Sequence, residues 1–229
     1  PAAAPAASTL GNGFCKNIIT VINKCADTVL NLTLKDVKID VSDTGSYYDG
    51  VDGKAALSVQ GDGNVTIELD GKNELKSGFN RAGLEKNTSE GTLTLKDDNK
   101  DGSLKATGGD SGAGIGGGVS SSGENITISG GTVTAAGGEF AAGIGGSNGG
   151  SGNNITIKGG TVTATGGGYR GNSGAGIGGG SSGSGENITI NDGKVTATGG
   201  NYAAGIGGGS VGAWGGDAGS GKNITITGG

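Results

Sequence analysis

The chain reads as an all-β protein, a right-handed parallel β-solenoid of about seven three-stranded coils, and three observations predict it. Asn-Ile-Thr-Ile recurs at Asn125, Asn154, Asn187 and Asn223. Glycine fills 57 of 229 positions, a content that usually marks low complexity, yet here it falls between short apolar units at regular intervals. Apolar residues make up 31% and aromatics 3%, too little bulk for one large globular core but enough for a thin core one side chain deep, as a solenoid has.

The middle strand of each coil comes first, because it carries the repeat. Extending the unit backwards adds Thr92-Leu93-Thr94-Leu95, Asn64-Val65-Thr66-Ile67 and Asn31-Leu32-Thr33-Leu34. A threonine column at Thr33, Thr66, Thr94, Thr127, Thr156, Thr189 and Thr225 follows, spaced by 33, 28, 33, 29, 33 and 36 residues. Within each unit polar and apolar residues alternate, the period-2 pattern of a strand with one buried face. Ile126 and Ile128 therefore point inward and Thr127 outward.

The first strand precedes it, at Leu57, Leu84, Ile115, Ile144, Ile177 and Ile206, the last four inside Ala-Gly-Ile-Gly-Gly. The third follows it, at Ile39, Leu75, Leu104, Val133, Val162 and Val195. Glycine-rich corners such as Gly159-Gly160 and Gly166-Gly167-Gly168 separate the strands, supplying the positive φ that tight corners need. Stacking then pairs each backbone group with the coil above and below at about 4.8 Å, giving a rod of roughly 30 Å. The departures from even spacing map to loops, the longest around Asp43 to Asp52 and Val211 to Gly219. Residues 1–15 are expected to be a tail, and 16–229 one solenoid domain capped by its first coil.

Three columns of side chains are expected to line up along the rod. The asparagines Asn31, Asn64, Asn125, Asn154, Asn187 and Asn223 form a ladder of amides, although each also heads an Asn-x-Thr acceptor sequence. Phe140, Tyr169 and Tyr202 each follow a Gly-Gly pair by two residues and stack at one corner, as core-like packing or as a sugar-stacking platform. Threonines on the third strand, Thr132, Thr134, Thr161 and Thr163, form ranks interrupted by Lys194 on one side and by Ser103 and Lys105 on the other.

Several motifs look like chemistry and lack the context for it. Gly112 to Gly117 and Gly174 to Gly179 satisfy the glycine fingerprint of dinucleotide sites, but a strand rather than a helix follows. Gly219-Ser220-Gly221-Lys222-Asn223 ends in asparagine where a phosphate loop needs Ser or Thr. With no histidine there is no Ser-His-Asp or Cys-His arrangement, and no catalytic residue or cofactor is assigned. The acid-rich stretches Asp40 to Asp52 and Asp97 to Asp101 read as turns, the first with Tyr47 and Tyr48 beside it. No metal site is expected, since Cys15 and Cys25 alone cannot make a four-ligand centre. A disulfide between them would suit an oxidising compartment. The net charge of −5 argues against nucleic acid, and no run of about 18 apolar residues suggests membrane insertion. Pro1-Ala2-Ala3-Ala4-Pro5-Ala6-Ala7 has the composition found beside signal-peptidase sites, so an extracellular or cell-surface location is expected.

The unit Asn-Ile-Thr-Ile-x-Gly-Gly-x-Val-Thr-Ala, followed by Ala-Gly-Ile-Gly-Gly, resembles the glycine-rich β-helix surface proteins of anaerobic bacteria, often described as carbohydrate-binding domain proteins. The coil architecture is also similar to that of the pectate-lyase-like superfamily, whose enzymes use clustered calcium-binding acids and a basic residue. Arg81 and Arg170, the only arginines, sit in no such cluster. What the resemblance implies is polysaccharide binding on a solenoid scaffold.

Three non-enzymatic functions are therefore expected. The first is a structural or adhesive module, with one form of it a filament subunit assembling head to tail through Ile18, Ile19 and Val21 at one end and Ile224 and Ile226 at the other, where the last coil is expected to stop short of its third strand. The second is glycan binding through Tyr47, Tyr48, Phe140, Tyr169, Tyr202 and Trp214. Ice binding by the threonine ranks is the third.

Overall fold

The computed structural model describes residues 13–87, 90–211 and 217–228. Its strands form three parallel sheets, one on each side of a right-handed β-helix of six complete turns and two strands of a seventh. The first sheet contains Ile19–Ile22, Leu57–Gln60, Leu84–Glu85, Ile115–Gly116, Ile144–Gly145, Ile177–Gly178 and Ile206–Gly207. The middle sheet contains Val29–Lys35, Asn64–Asp70, Leu93–Lys96, Gly123–Ile128, Gly152–Ile157, Gly185–Ile190 and Gly221–Ile226. Lys38–Asp40, Lys72–Lys76, Ser103–Thr107, Thr132–Ala136, Thr161–Thr165 and Lys194–Thr198 make the third.

Period-2 alternation decides what each sheet buries. Ile126, Ile155 and Ile188 stack in one column and Ile128, Ile157 and Ile190 in the next, each shielded from solvent, while Thr127, Thr156 and Thr189 pair on the outer face. Val133 and Val162 from the third sheet and Ile115, Ile144 and Ile177 from the first close the triangle. Each of these aliphatic side chains contributes about 1.5–3 kcal/mol by leaving water.

The first coil departs from the sequence reading. Asn31 pairs with Thr66 and Thr33 with Glu68, so the strand sits two residues away from the expected alignment and Thr33 leaves the threonine column. A slip of two preserves which side chains face inward, so hydrophobic patterning cannot detect it. The longer alternation of Val29–Lys35 against Asn64–Asp70 selects this register, because it lets Leu34 lie over the buried Leu69.

That shift also removes Asn31 from the asparagine ladder, which is built by Asn125, Asn154, Asn187 and Asn223. These four stand at φ between 52° and 56°, a left-handed conformation that asparagine tolerates. Nδ2 of Asn154 donates to Oδ1 of Asn125 (3.1 Å), and Nδ2 of Asn223 to Oδ1 of Asn187 (2.9 Å). Asn187 itself donates to Asn153 rather than Asn154 (3.0 Å). Asn64 works differently, its Oδ1 accepting from the backbone N–H of Thr92 (2.9 Å).

The Ala-Gly-Ile-Gly-Gly segments form pinched turns rather than long strands. In one of them the N–H of Ala142 donates back to the carbonyl of Gly146 (2.9 Å), and Gly145 takes φ +131°. A side chain there would begin 2.0 Å from the carbonyl oxygen of Gly178 on the next coil. The two glycine fingerprints are thus first-sheet turns, and no helix occurs among the described residues.

Phe14 and Cys15 already belong to the solenoid. Phe14 is buried with the ammonium of Lys76 4.3 Å from its ring centre, and Cys15 bridges to Ile39 at the third sheet. Cys15 and Cys25 are free thiols, not the expected disulfide. Cys15 lies beside the third sheet, whereas Cys25 follows the first strand in a turn closed by Thr28 (3.0 Å), so the two occupy different sides of the coil.

Candidate functional site

Each coil must turn from its third strand into the first strand of the next, and that corner falls at the same place on every rung. Five successive corners carry residues 47–52, 79–80, 110–111, 139–140 and 169–172. Spaced by about 4.8 Å per rung, they span roughly 20 Å along the axis. The turn from first to middle strand supplies a facing wall. Hydrogen bonds join the walls across adjacent coils: the N–H of Val119 donates to the carbonyl of Asn80 (2.7 Å), and that of Ser181 to the carbonyl of Phe140 (2.8 Å). Between them runs an open groove of about 1290 Å³.

Aromatic rings bracket this groove. At one end the loop from Ser46 to Val51, closed by paired backbone hydrogen bonds (2.9 and 3.3 Å), presents Tyr47 and Tyr48. Tyr47 meets Tyr48 and Phe79 edge to face, with ring centres 6.0 and 6.4 Å apart. At the other end Phe140 meets Tyr169 edge to face at 6.1 Å, and Arg170 lies 5.0 Å from the Tyr169 ring centre. Tyr169 and Arg170 are held by a small antiparallel hairpin, Gly168–Tyr169 with Asn172–Ser173, inserted at this one corner. Phe79 and Phe140 are half-buried, whereas Tyr47 and Tyr48 are 78% and 95% exposed. The phenylalanines thus form fixed platforms and the tyrosines adjustable rims.

The middle of the groove is polar. Gly108-Gly109-Asp110-Ser111 occupies on one rung the place of Gly137-Gly138-Glu139-Phe140 on the next, so the aromatic wall is interrupted there and two carboxylates stand side by side. Burial raises the Asp110 carboxyl above its ordinary value; Glu139 is raised by burial and then by the charge of Asp110. Asp52, by contrast, accepts a hydrogen bond from Nδ2 of Asn80 (2.8 Å). Among the described residues no cluster of three or more His, Cys, Asp and Glu side chains is arranged to hold a metal ion.

Of the residues singled out from sequence, Tyr47, Tyr48, Phe140 and Tyr169 are brought together here. Tyr202 is 91% exposed, with no ring contact to Tyr169 among the described residues, so the aromatic column ends after two rings. Trp214 lies outside the described residues. Ile19 and Val21 belong to a strand paired with Leu57–Gln60, and Ile224 and Ile226 to one paired with Gly185–Ile190. These are the outermost strands of their sheets; Ile18 and Ile226 are exposed while Val21 is buried. On the third sheet, Thr134, Thr163 and Thr196 align, but Lys194 pairs with Thr161 and Lys105 with Thr134, so charged side chains break the ranks. In the acid-rich stretches, Asp43 pairs with Lys16, Asp40 with Lys76 (3.4 Å), and Asp97 caps its own turn at Gly102 (3.1 Å).

Sequence reasoning missed Phe79, Asp110 and Glu139, and read Asp52 only as part of an acid-rich turn. Two of them had a signal: Asp110 and Glu139 both follow a Gly-Gly pair by one residue. A serine ladder also went unread. The N–H of Ser151 donates to Oγ of Ser122 (3.1 Å), that of Ser184 to Ser151 (3.2 Å) and that of Ser220 to Ser184 (3.1 Å). Each serine stands three residues before a ladder asparagine.

A family model described as Beta helix repeat matches residues 100–119, 126–152, 155–181 and 188–210. These stretches coincide with the most regular coils and, with the sheet topology, support a parallel β-helix family. No curated protein and no solved structure matches the chain.

Proposed function

We propose that this β-helix is a non-enzymatic glycan-binding module that works outside the cell, holding an extended polysaccharide along the groove at its third-to-first corner. The observation that carries this reading is the sequence of surfaces along one line: tyrosine rim, Phe79, carboxylates and amides, Phe140, Tyr169. Aromatic faces stack on the apolar faces of sugar rings, while Asn80, Asn148 and Ser182 offer polar contacts to hydroxyls. A pyranose is about as long as the separation between rungs, so a linear glycan running parallel to the axis meets one corner per sugar. The resemblance of the repeat to bacterial carbohydrate-binding β-helix proteins points the same way.

Binding rather than cleavage is favoured by where the acids stand. Glycosidase carboxylates flank the scissile bond. Asp110 and Glu139 occupy equivalent positions on neighbouring rungs and therefore share one wall.

The test is a polysaccharide array probed with the wild type and with Phe140→Ala and Tyr169→Ala, both folded by circular dichroism. The reading expects retention of a linear glycan, weakened about tenfold by either substitution, and no new reducing ends after prolonged incubation. Binding that ignores both substitutions would remove the groove from consideration, and chain cleavage would make the protein an enzyme.

A further inference from the structure

The groove's charge says which glycans it takes, an inference that rests on the glycan-binding reading and sharpens it. The binding surface is the aromatic groove; the acid pair at its centre sets the charge that surface accepts. On the strand faces of the rod several acids pair with a lysine: Glu68 with Lys96 (3.0 Å), Asp70 with Lys35 (2.9 Å) and Glu186 with Lys222 (3.4 Å). Asp110 and Glu139 instead stand at equivalent positions on neighbouring rungs of one groove wall, where Glu139 feels the charge of Asp110, and neither has an ion pair or a side-chain hydrogen bond among the described residues.

The other ionisable groups lining the groove are Asp52, Arg170 and the tyrosines Tyr47, Tyr48 and Tyr169. Arg170 is engaged with the Tyr169 ring at the far end, and Asp52 adds a further negative charge at the near end. Among the described residues the centre is therefore lined by acids and by no lysine or arginine. Like charges placed side by side destabilise the folded chain, and a cationic group seated between them removes that repulsion. Phe79 lies one rung before Asp110 and Phe140 lies beside Glu139 on the next rung, so the two rings are two rungs, roughly 10 Å, apart along the axis with the acid pair within that span.

We propose that the groove selects basic glycans, linear polymers of amino sugars with free amines, whose ammonium groups sit against Asp110 and Glu139 while neighbouring rings stack on Phe79 and Phe140. Uronic-acid polymers are disfavoured by the same charges.

Titration calorimetry at about pH 6, above the ordinary carboxylate range, separates the possibilities. The probes are glucosamine oligomers, N-acetylglucosamine oligomers and oligogalacturonates of equal chain length, with spermine as an amine that lacks sugar rings. The glucosamine oligomer is expected to bind about tenfold or more tightly than its acetylated counterpart, with oligogalacturonate weakest. Asp110→Asn with Glu139→Gln should erase that preference, so that the glucosamine and acetylated oligomers bind with affinities equal within about twofold. Equal or tighter binding of the acetylated or uronic oligomer, a preference that survives the double substitution, or spermine binding as tightly as the glucosamine oligomer would overturn the proposal. If the acetylated oligomer binds through Phe140 regardless of charge, only this inference falls. If no oligosaccharide in the wider array binds, the glycan reading falls with it.

Discussion

Replacing Gly145 by alanine tests the stacking logic at one atom. Its φ of +131° lies where an L-residue is strained, worth about 1–3 kcal/mol. The new methyl would begin 2.0 Å from the Gly178 carbonyl oxygen and 3.0 Å from its carbon, so the two rungs must separate. Separation weakens the hydrogen bonds from Ile144 N–H to Gly176 (3.0 Å) and from Gly146 N–H to Gly178 (2.8 Å). At about 0.5–1.5 kcal/mol each, they bring the expected loss to about 2–6 kcal/mol. Gly149, four residues on, is the control: its φ is +74° but nothing lies within 4 Å of the added carbon, so Gly149→Ala should cost only about 1 kcal/mol. Urea unfolding followed by far-ultraviolet circular dichroism gives both values. Equal costs at the two positions, or a Gly145 variant within 1 kcal/mol of wild type, would refute the account of the pinched turns.

Three further outcomes are expected. Ile155→Ala, at a fully buried rung position, should destabilise by about 2–5 kcal/mol, while Thr156→Ala on the outer face should change stability by less than about 0.5 kcal/mol; denaturant midpoints decide it. Asn187→Ala removes a ladder member that donates one amide bond and accepts another at φ +53°, and should cost about 2 kcal/mol; Asn187→Gly, freed of the backbone strain, should cost less in the same assay. Asp110 and Glu139 have carboxyls raised in the folded chain, so protonation favours folding. Their contribution is fully present below about pH 4, the ordinary carboxylate value, and is lost as pH rises through the raised folded values. Asp110→Asn with Glu139→Gln should therefore raise the melting temperature at neutral pH and leave it little changed in acid.

The fold was legible because period-2 alternation and glycine corners repeat often enough to align by eye. Ile126, Ile155 and Ile188 lie inward because the same four residues recur, and stacking is the arrangement that buries them all. The first coil was legible only up to register, since moving Asn31 from beside Asn64 to beside Thr66 leaves every leucine on its original face. The groove was half legible. Phe140 and Tyr169 share a spacing from their glycines, and that spacing survives in space. Phe79, Asp52 and Asp110 come from different corners about 30 residues apart, and only the stacking of coils brings them into line with Tyr47. The cysteines misled for a related reason: ten residues are enough to go from one side of the triangle to another.

Hydrogen exchange with and without a bound oligosaccharide, read residue by residue, bears on all of this most directly. Protection should rise near 47–52, 79–80, 110–111, 139–140 and 169–172, one patch for every rung of a single corner, with the threonine-bearing third strands unchanged. Protection confined to Thr132–Ala136 and Thr161–Thr165, or to the strands at either end of the rod, would contradict the account.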